Sequence, residues 1–330
     1  MMSHHTHGMK MYGDIKLYAG SASPNLAQKI AEYLEQPLSP REIIQFPNEN
    51  IFIQLNDSAR GHDVYVIQST SSPVHYNLME LLIMIQTVRL DSAARITAVV
   101  PYLCYGRSDK KDQPRVPITA RLVADMIESA GADRYMTFDP HAGQIQGFFS
   151  VPGDVLTASH MITDYIQDHL RSEMNEPVVV ATDLGFAKKG RNYALDLDVP
   201  IAFIEKRRTG NDAKAEALTL IGDVKGRDVI IVDDEVDTGG SIAQAAEVVK
   251  KNGARDIYLA FIHPIFSRSA VQRLAELPIK HILTTDTVPF PVAKMKPLEG
   301  RITILSIAPL LGEVIRRAHQ GRSVGEMFNE

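Results

Sequence analysis

Val229-Ile230-Ile231-Val232-Asp233-Asp234-Glu235-Val236-Asp237-Thr238-Gly239-Gly240-Ser241 is the stretch on which the reading of this chain turns. Four β-branched residues predict a strand buried on both faces, as in the middle of a parallel sheet. Four acids follow within five residues, then Thr-Gly-Gly-Ser, then a pattern over Ile242–Asn252 that reads as a helix. Ligands of open α/β sheets bind outside the carboxyl ends of the strands. Gly239 and Gly240 carry no side chains, so backbone N–H groups can come close to a phosphate. Thr238 and Ser241 add hydroxyls, and the helix adds its positive end. Asp233 and Asp234 suit the opposite chemistry, accepting hydrogen bonds from sugar hydroxyls or holding a hydrated magnesium ion. Acids beside a phosphate site are self-defeating unless the ligand also offers hydroxyls or a cation, and a ribose phosphate offers both.

Outward from this stretch the same strand-and-helix grammar repeats. Strands are predicted at Ile15–Ala19, Val64–Gln68, Ile96–Tyr102, Arg134–Phe138, Val178–Ala181 and Ile257–Phe261, and helices at Pro24–Leu34, Asn77–Val88 and Ile118–Ala130. Ser23 is the expected N-cap of the first helix, with Pro24 at its first position. Alternation of this kind marks parallel α/β units. Two segments look like copies: Ala59-Arg60-Gly61-His62-Asp63-Val64-Tyr65-Val66-Ile67-Gln68 and Val224-Lys225-Gly226-Arg227-Asp228-Val229-Ile230-Ile231-Val232-Asp233. Each is a turn into a β-branched strand, followed by a loop, a helix and an Ala-Arg turn (Ala94-Arg95, Ala254-Arg255) into another strand. A tandem duplication with its boundary near Val151–Ala158 accounts for both. The expected domains are therefore residues 11–153 and 154–330, preceded by a disordered or tag-like tail at 1–10.

The bulk properties agree with a two-domain globular chain: 330 residues, 45% hydrophobic, 23% charged, formal net charge -5. No global basic field points to nucleic acid or an anionic membrane. No apolar run is long enough for a transmembrane helix. The single cysteine, Cys104, excludes an internal disulfide and fits a reducing, cytoplasmic setting. Cys104 reads as a small buried residue, and Met79 and Met84 as core fillers on an apolar helix. No Gly-x-Gly-x-x-Gly opens a helix, and Gly185–Gly190 fails as a P-loop because Arg191-Asn192 stands where Lys-Ser/Thr is required.

The acidic Thr-Gly-Gly-Ser loop resembles the phosphoribosyl-diphosphate-binding loop of phosphoribosyltransferases and ribose-phosphate diphosphokinases. Further segments resemble the second family: Asn77–Met84, Arg95–Tyr102, Arg115–Ala120, Gly143–Phe149 and Ile221–Gly226, in order along a similarity running from about Ile15 to Phe328. The resemblance implies two tandem phosphoribosyltransferase-like α/β domains, each with a central, mainly parallel sheet flanked by helices. It implies transfer of the diphosphoryl group of ATP to ribose 5-phosphate, with Mg2+ as cofactor. It also implies a cytoplasmic homo-oligomer, a hexamer built from dimers.

Carried onto this sequence, the resemblance makes Asp233, Asp234, Asp237, Thr238, Gly239, Gly240 and Ser241 the ribose 5-phosphate loop. His141 becomes a metal and nucleotide contact, and Asp183 a metal contact. Phe46, Asn48, Arg107 and Ser108 become nucleotide contacts. Lys206 and Arg208, after the strand Ile201–Ile204, become the catalytic pair, and Thr209–Ala217 a flexible lid over them. The chain departs from the family at three places. Asn50 replaces a usual Glu, which bears on adenine specificity. Ser108 replaces a usual Gln. Phe186 replaces a second glycine in the diphosphate loop, where bulk would crowd phosphates or reshape the loop. Two other readings remain: a phosphoribosyltransferase, which shares the loop but leaves Phe46 and Arg107 without a role, and a non-catalytic regulatory paralogue, which draws on the three departures.

Overall fold

The computed structural model describes residues 12–208 and 216–328. The expected tail at 1–10 and most of the expected lid, residues 209–215, lie outside the described residues. The chain divides after Leu156 into two compact units, and the segment from Ile307 onward returns to the first.

The first unit contains β1 (Ile15–Ala19), α1 (Pro24–Leu34), β2 (Arg41–Gln45), β3 (Ile51–Leu55), β4 (Asp63–Ile67), α2 (Val74–Leu90), β5 (Arg95–Val100), α3 (Thr119–Ala130), β6 (Arg134–Phe138) and β7 (Gly153–Leu156). Five strands form a parallel sheet in the order β1-β4-β5-β6-β7. β2 and β3 make a separate antiparallel hairpin, which the sequence reading did not anticipate. β4 is buried at every position, as a central parallel strand should be. Ser23 occupies the N-cap position of α1, yet its hydroxyl makes no capping bond, so the helix entry rests on Pro24 instead. Met84 is fully buried, but Met79 is 51% exposed. α2 is apolar around most of its circumference, and only one side can face the sheet. Met79 is therefore not a core filler.

The second unit contains α4 (Ser159–Tyr165), β8 (Val178–Ala181), α5 (Ala187–Asp196), β9 (Ile201–Arg208), β10 (Glu216–Ile221), β11 (Val229–Val236), α6 (Gly240–Lys251), β12 (Ile257–Pro264), α7 (Ala270–Glu276), β13 (Ile279–Thr285) and β14 (Ile302–Leu305). Its seven strands run in the order β10-β9-β8-β11-β12-β13-β14, parallel except for the edge pair β9–β10. β9 continues past Ile204 to Arg208, so Lys206 and Arg208 belong to a strand, opposite Leu218 and Glu216 of β10. Glu216 and Ala217, expected in a lid, are strand residues. α6 buries Ile242, Ala245, Ala246 and Val249, a stripe at helical spacing, and places Lys250 and Lys251 in its last turn, where they complement the dipole.

The last helix, α8 (Ala308–Gln320), corrects the expected 154–330 domain. It belongs with the first unit because its apolar stripe Leu311, Val314 and Ile315 is buried there. Arg316 donates to the Tyr33 carbonyl at 3.1 Å, and His319 Nδ1 lies 2.8 Å from Asp63 Oδ2. A Cβ on Gly312 would stand 2.4 Å from the Tyr33 ring, so glycine permits this close approach.

The suspected duplication has a physical signature. In the first unit Arg95 donates through Nε and Nη2 to the two oxygens of fully buried Asp63, at 2.8 and 2.6 Å. In the second, Arg255 makes the same two-pronged contact with fully buried Asp228, Nε to Oδ1 at 2.6 Å. Each clasp ties the start of a central strand to the start of its neighbour. The Ala-Arg turns that looked repeated in sequence carry this equivalent bond.

Candidate active site

β11 delivers the acids to the carboxyl edge of the second sheet. Its strand geometry persists through Asp233, Asp234 and Glu235 to Val236. Asp234 and Glu235 are buried, and Asp233 is partly so. Asp233 accepts a hydrogen bond from the Thr182 hydroxyl at 2.9 Å and another from the Asp234 backbone N–H at 2.9 Å. Burial first, and then the neighbouring Asp234 carboxylate, hold the Asp233 carboxyl well above the usual range for Asp. Removing Asp233 from water raises the free energy of its anion, and a second carboxylate raises it further. A ligand that donates hydrogen bonds, or a cation, lowers it.

The turn after β11 is held by a left-handed glycine and by bonds from the Ser267 stretch. Gly239 has φ 73°, a left-handed conformation that glycine adopts without strain. It caps α6, with Ala243 N donating to its carbonyl at 3.0 Å. Asp237 is anchored through its carboxylate to the Ser267 hydroxyl, and its carbonyl accepts from Ser267 N at 3.0 Å. Its side chain therefore shapes the turn. Thr238, Gly240 and Ser241 remain partly or fully exposed around the first turn of α6. Hydroxyls, a glycine backbone and a twelve-residue helix's N-terminus are brought together with Asp233 at one sheet edge.

Beside them, β8 leads into Thr182-Asp183-Leu184-Gly185. Asp183 Oδ1 accepts from Phe186 N at 2.8 Å and so closes this loop onto α5. Phe186 is buried at the N-cap of α5, with the Lys189 ammonium 5.9 Å from its ring centroid. The Phe186 ring is thus packed inward and is not exposed in the loop. The strand places Lys206 and Arg208 on β9, next to β8 in the sheet; their side chains lie outside the described residues.

The sequence-predicted nucleotide residues sit in the first unit at two places. Phe46 and Asn48 occupy the tip of the β2–β3 hairpin. Phe46 N donates to Asn50 O at 2.8 Å, and Asn50 N donates to Asn48 Oδ1 at 3.2 Å. The Phe46 ring is 44% exposed, as a stacking surface must be. A cavity of about 1100 Å³ lies alongside, lined by Gln45, Asn50 and Ile51 from the hairpin and His75 and Met79 from α2. Arg107 and His141 form the other place, beyond the carboxyl ends of β5 and β6. A Cβ on Gly106 would lie 3.4 Å from the His141 Cβ, so the two loops touch there. Gln144 donates to buried Asp109 and ties them together. Ser108 is used structurally, since its hydroxyl accepts from Thr119 N at 3.3 Å at the start of α3. Among the described residues, no group of three or more His, Cys, Asp or Glu is arranged to hold a metal. No described helix is long and apolar enough to cross a membrane. Cys104 is buried, and desolvation pushes its thiol up to about 11, which disfavours the thiolate.

Two halves with matching clasps, one acidic phosphate-type loop and a separate aromatic hairpin call for comparison with known proteins. A ribose-phosphate pyrophosphokinase from Caldanaerobacter subterraneus subsp. tengcongensis is 44% identical over 314 residues, covering 95% of this chain and 98% of that protein. This chain belongs to the ribose-phosphate pyrophosphokinase family. The enzyme of the same name from Wolinella succinogenes is 42% identical over 313 residues, covering 95% and 98%. Residues 15–131 match the N-terminal domain of ribose phosphate pyrophosphokinase, and residues 210–329 the phosphoribosyl synthetase-associated domain. A crystal structure of phosphoribosylpyrophosphate synthetase from Mycobacterium smegmatis superposes with a TM-score of 0.88 at 40% identity, covering 94% of this chain and all of that one. The family's two-unit α/β fold is the fold observed here.

Thr182, Ser267 and Arg273 escaped the sequence reading. Arg273 Nη1 donates to the Thr238 carbonyl at 2.8 Å, from a helix 35 residues away in sequence. No local pattern marks any of the three.

Proposed function

We propose that this chain transfers the diphosphoryl group of ATP to the anomeric hydroxyl of ribose 5-phosphate, giving phosphoribosyl diphosphate and AMP. The anomeric oxygen attacks the β-phosphorus, the bond to the α-phosphate bridging oxygen breaks, and the hydroxyl proton is lost to solvent or a base. The observation that carries this reading is the composition of one sheet edge. Asp233, which burial makes a reluctant anion, stands beside the Asp237–Ser241 turn and the start of α6. A ligand with both hydroxyls and a phosphate satisfies both parts, and neither part alone explains the other.

The roles follow from position and chemistry. Asp233 and Asp234 accept from the ribose hydroxyls. Thr238, Gly239, Gly240 and Ser241 receive the 5-phosphate, with Asp237 shaping their turn. Phe46 stacks on the base, while Asn48 and Arg107 contact the nucleotide; Ser108 supports Arg107's loop from the start of α3. Lys206 and Arg208 meet the charge that develops on the transferring group. Mg2+ is the expected cofactor, and it neutralises phosphate charge when bound. Asp183 would orient it at the second unit's sheet edge, and His141 is the metal and nucleotide contact proposed in the first unit. A hard oxygen donor beside a phosphate site suits magnesium, which keeps several waters and takes few protein ligands. The assembly is read as a cytoplasmic homo-oligomer, a hexamer built from dimers.

The test is formation of AMP and phosphoribosyl diphosphate with magnesium, comparing ATP, GTP and CTP, with and without ribose 5-phosphate. AMP that depends on ribose 5-phosphate supports the reading. No product from any donor, in folded protein, would sink it and leave a regulatory paralogue. Of the three departures that favour a paralogue, Phe186 loses its force because its ring is buried.

A further inference from the structure

Three successive carbonyl groups at the turn after β11 are held by a single stretch of chain. The Val236 carbonyl accepts from Phe266 N at 3.0 Å and the Asp237 carbonyl from Ser267 N at 3.0 Å. The Thr238 carbonyl accepts from Arg273 Nη1 at 2.8 Å. Two of these donors are backbone groups, fixed by the path of the chain. The third is a charged side chain on α7, a helix of seven residues. The stretch itself is held in an unusual form: Phe266 and Arg268 have φ of 47° and 52°, left-handed values for residues that are not glycine. Such conformations persist where surrounding contacts hold them. Below, Arg301 secures α7 by donating to the carbonyls of Ala275 at 2.8 Å and Ile279 at 3.2 Å.

The geometry of a peptide gives the Arg273 bond its consequence. In a planar trans peptide the C=O and the following N–H point in opposite directions. Pinning the Thr238 carbonyl toward α7 therefore turns the Gly239 N–H away from α7. The glycine positions agree on where α7 stands. A Cβ on Gly239 would meet Arg273 Cδ at 3.7 Å, Ala270 O at 3.8 Å and Leu274 Cδ2 at 3.8 Å. A Cβ on Gly240 would lie 3.6 Å from Arg273 Nη1. The guanidinium thus lies directly under Thr238–Gly240. From there it fixes the direction of the Gly239 N–H and places a permanent positive charge beneath the turn. Arginine keeps that charge at any relevant pH and donates in a rigid fork.

We infer that Arg273 is a positioning residue for the sugar phosphate: it touches the loop rather than the substrate, orients the Thr238–Gly239 peptide, and supplies fixed positive charge under a loop flanked by acids. The inference rests on the reading of Asp237–Ser241 as the 5-phosphate loop. Because the effect is local to that loop, it bears on ribose 5-phosphate and not on ATP.

The experiment is steady-state kinetics of the full chain and its variants Arg273→Leu, Arg273→Lys and Arg301→Lys, with ribose 5-phosphate and ATP varied separately. Folding is checked by thermal denaturation. Loss of one charge-assisted hydrogen bond predicts a rise of roughly 10- to 100-fold in KM for ribose 5-phosphate in Arg273→Leu. KM for ATP should change less than about twofold, a margin well below one lost hydrogen bond. Arg273→Lys restores charge without the fork and should recover part of the loss. Arg301→Lys, which loosens α7 while leaving the Arg273 guanidinium in place, should raise KM for ribose 5-phosphate far less than Arg273→Leu does. Equal weakening of both substrates in Arg273→Leu, or the same rise in Arg301→Lys, overturns the inference. So does an unchanged KM for ribose 5-phosphate. If Arg273→Leu does not fold, Arg273→Lys decides alone: a selective rise for ribose 5-phosphate supports the inference, and no rise overturns it. Failure of the functional reading looks different, because then the parent protein itself makes no product.

Discussion

The central strands of the two units, β4 and β11, begin alike and end differently. A fully buried aspartate gripped by a two-pronged arginine stands at or just before the start of each, Asp63 with Arg95 and Asp228 with Arg255. At the other end, the first unit has Gln68 where the second has Asp233. Gln68 is fully buried and spends its side chain inside the unit: Oε1 accepts from Ala22 N at 3.0 Å, and Nε2 donates to Glu80 at 3.2 Å. Glu80 in turn accepts from the Ser21 backbone and hydroxyl. That sheet edge is closed by its own hydrogen bonds. In the second unit the equivalent position is an acid that burial leaves short of compensation, beside a glycine turn and a helix start. The two units share the clasp that holds strands together and differ at the carboxyl edge of the sheet.

The largest expected effect tests whether the second unit carries the reaction. Lys206→Ala or Arg208→Ala should lower kcat by on the order of 100- to 1000-fold, the usual scale for a lost donor to developing charge. Affinity for ribose 5-phosphate should change far less, and equal weakening of both would count against a transition-state role.

Asp233→Asn comes next. Losing charge-assisted bonds to sugar hydroxyls should cost on the order of 100-fold in kcat/KM for ribose 5-phosphate. Asp228, just before β11, and Asp233, within it, also titrate in opposite senses, which a pH series can read. Asp233 is raised, first by burial and then by Asp234, so the folded protein holds its proton more tightly than the unfolded chain does. Its contribution favours the fold at low pH and is lost as pH rises through its folded pKa. Asp228 is also desolvated, yet the Arg255 hydrogen bonds and those from Asn175 and Asp256 bring its net pKa below the usual range. Its contribution is present above the unfolded carboxylate pKa and fades as pH falls through the folded one. Asp233→Asn should therefore be more stable than the parent near neutral pH, with the gap closing in acid. A gap that widens in acid would refute the raised pKa.

The two clasps should differ in strength. Arg95 is 11% exposed and Arg255 46%, so the first pair is better shielded from water. Asp63→Asn should destabilise by about 3 kcal/mol, at the lower end for breaking a buried pair. Asp228→Asn should cost less by denaturant titration. Equal costs would show that the exposure of the arginine is irrelevant here.

Smaller still, Glu80→Gln should cost about 1 kcal/mol through the loosened edge of the first unit, with KM for ribose 5-phosphate unchanged. A raised KM would show that the first edge is not closed to substrate. The smallest effect belongs to Asn50→Glu, which should narrow the choice of diphosphoryl donor several-fold toward ATP. Unchanged GTP-to-ATP ratios would remove Asn50 from base selection.

Sequence by itself determined the kind of protein this is. The β-branched run into Asp233 and the Thr-Gly-Gly-Ser turn read correctly because strand period, glycine freedom and helix start are local properties. Strands at Arg134–Phe138 and Val178–Ala181 were legible for the same reason. The hairpin carrying Phe46 was missed, since its strands Arg41–Gln45 and Ile51–Leu55 show only partial burial and weak alternation. What tertiary structure decided depends on partners far apart in the chain. The return of α8 to the first unit, the burial of Phe186 and the exposure of Met79 each follow from which surface happens to face a residue. Arg273 reaches Thr238 across 35 residues, and Arg95 and Arg255 reach their aspartates across 32 and 27. Local pattern fixes the element a residue belongs to. The fold alone fixes which distant group it meets, because those contacts exist only once the sheets have formed.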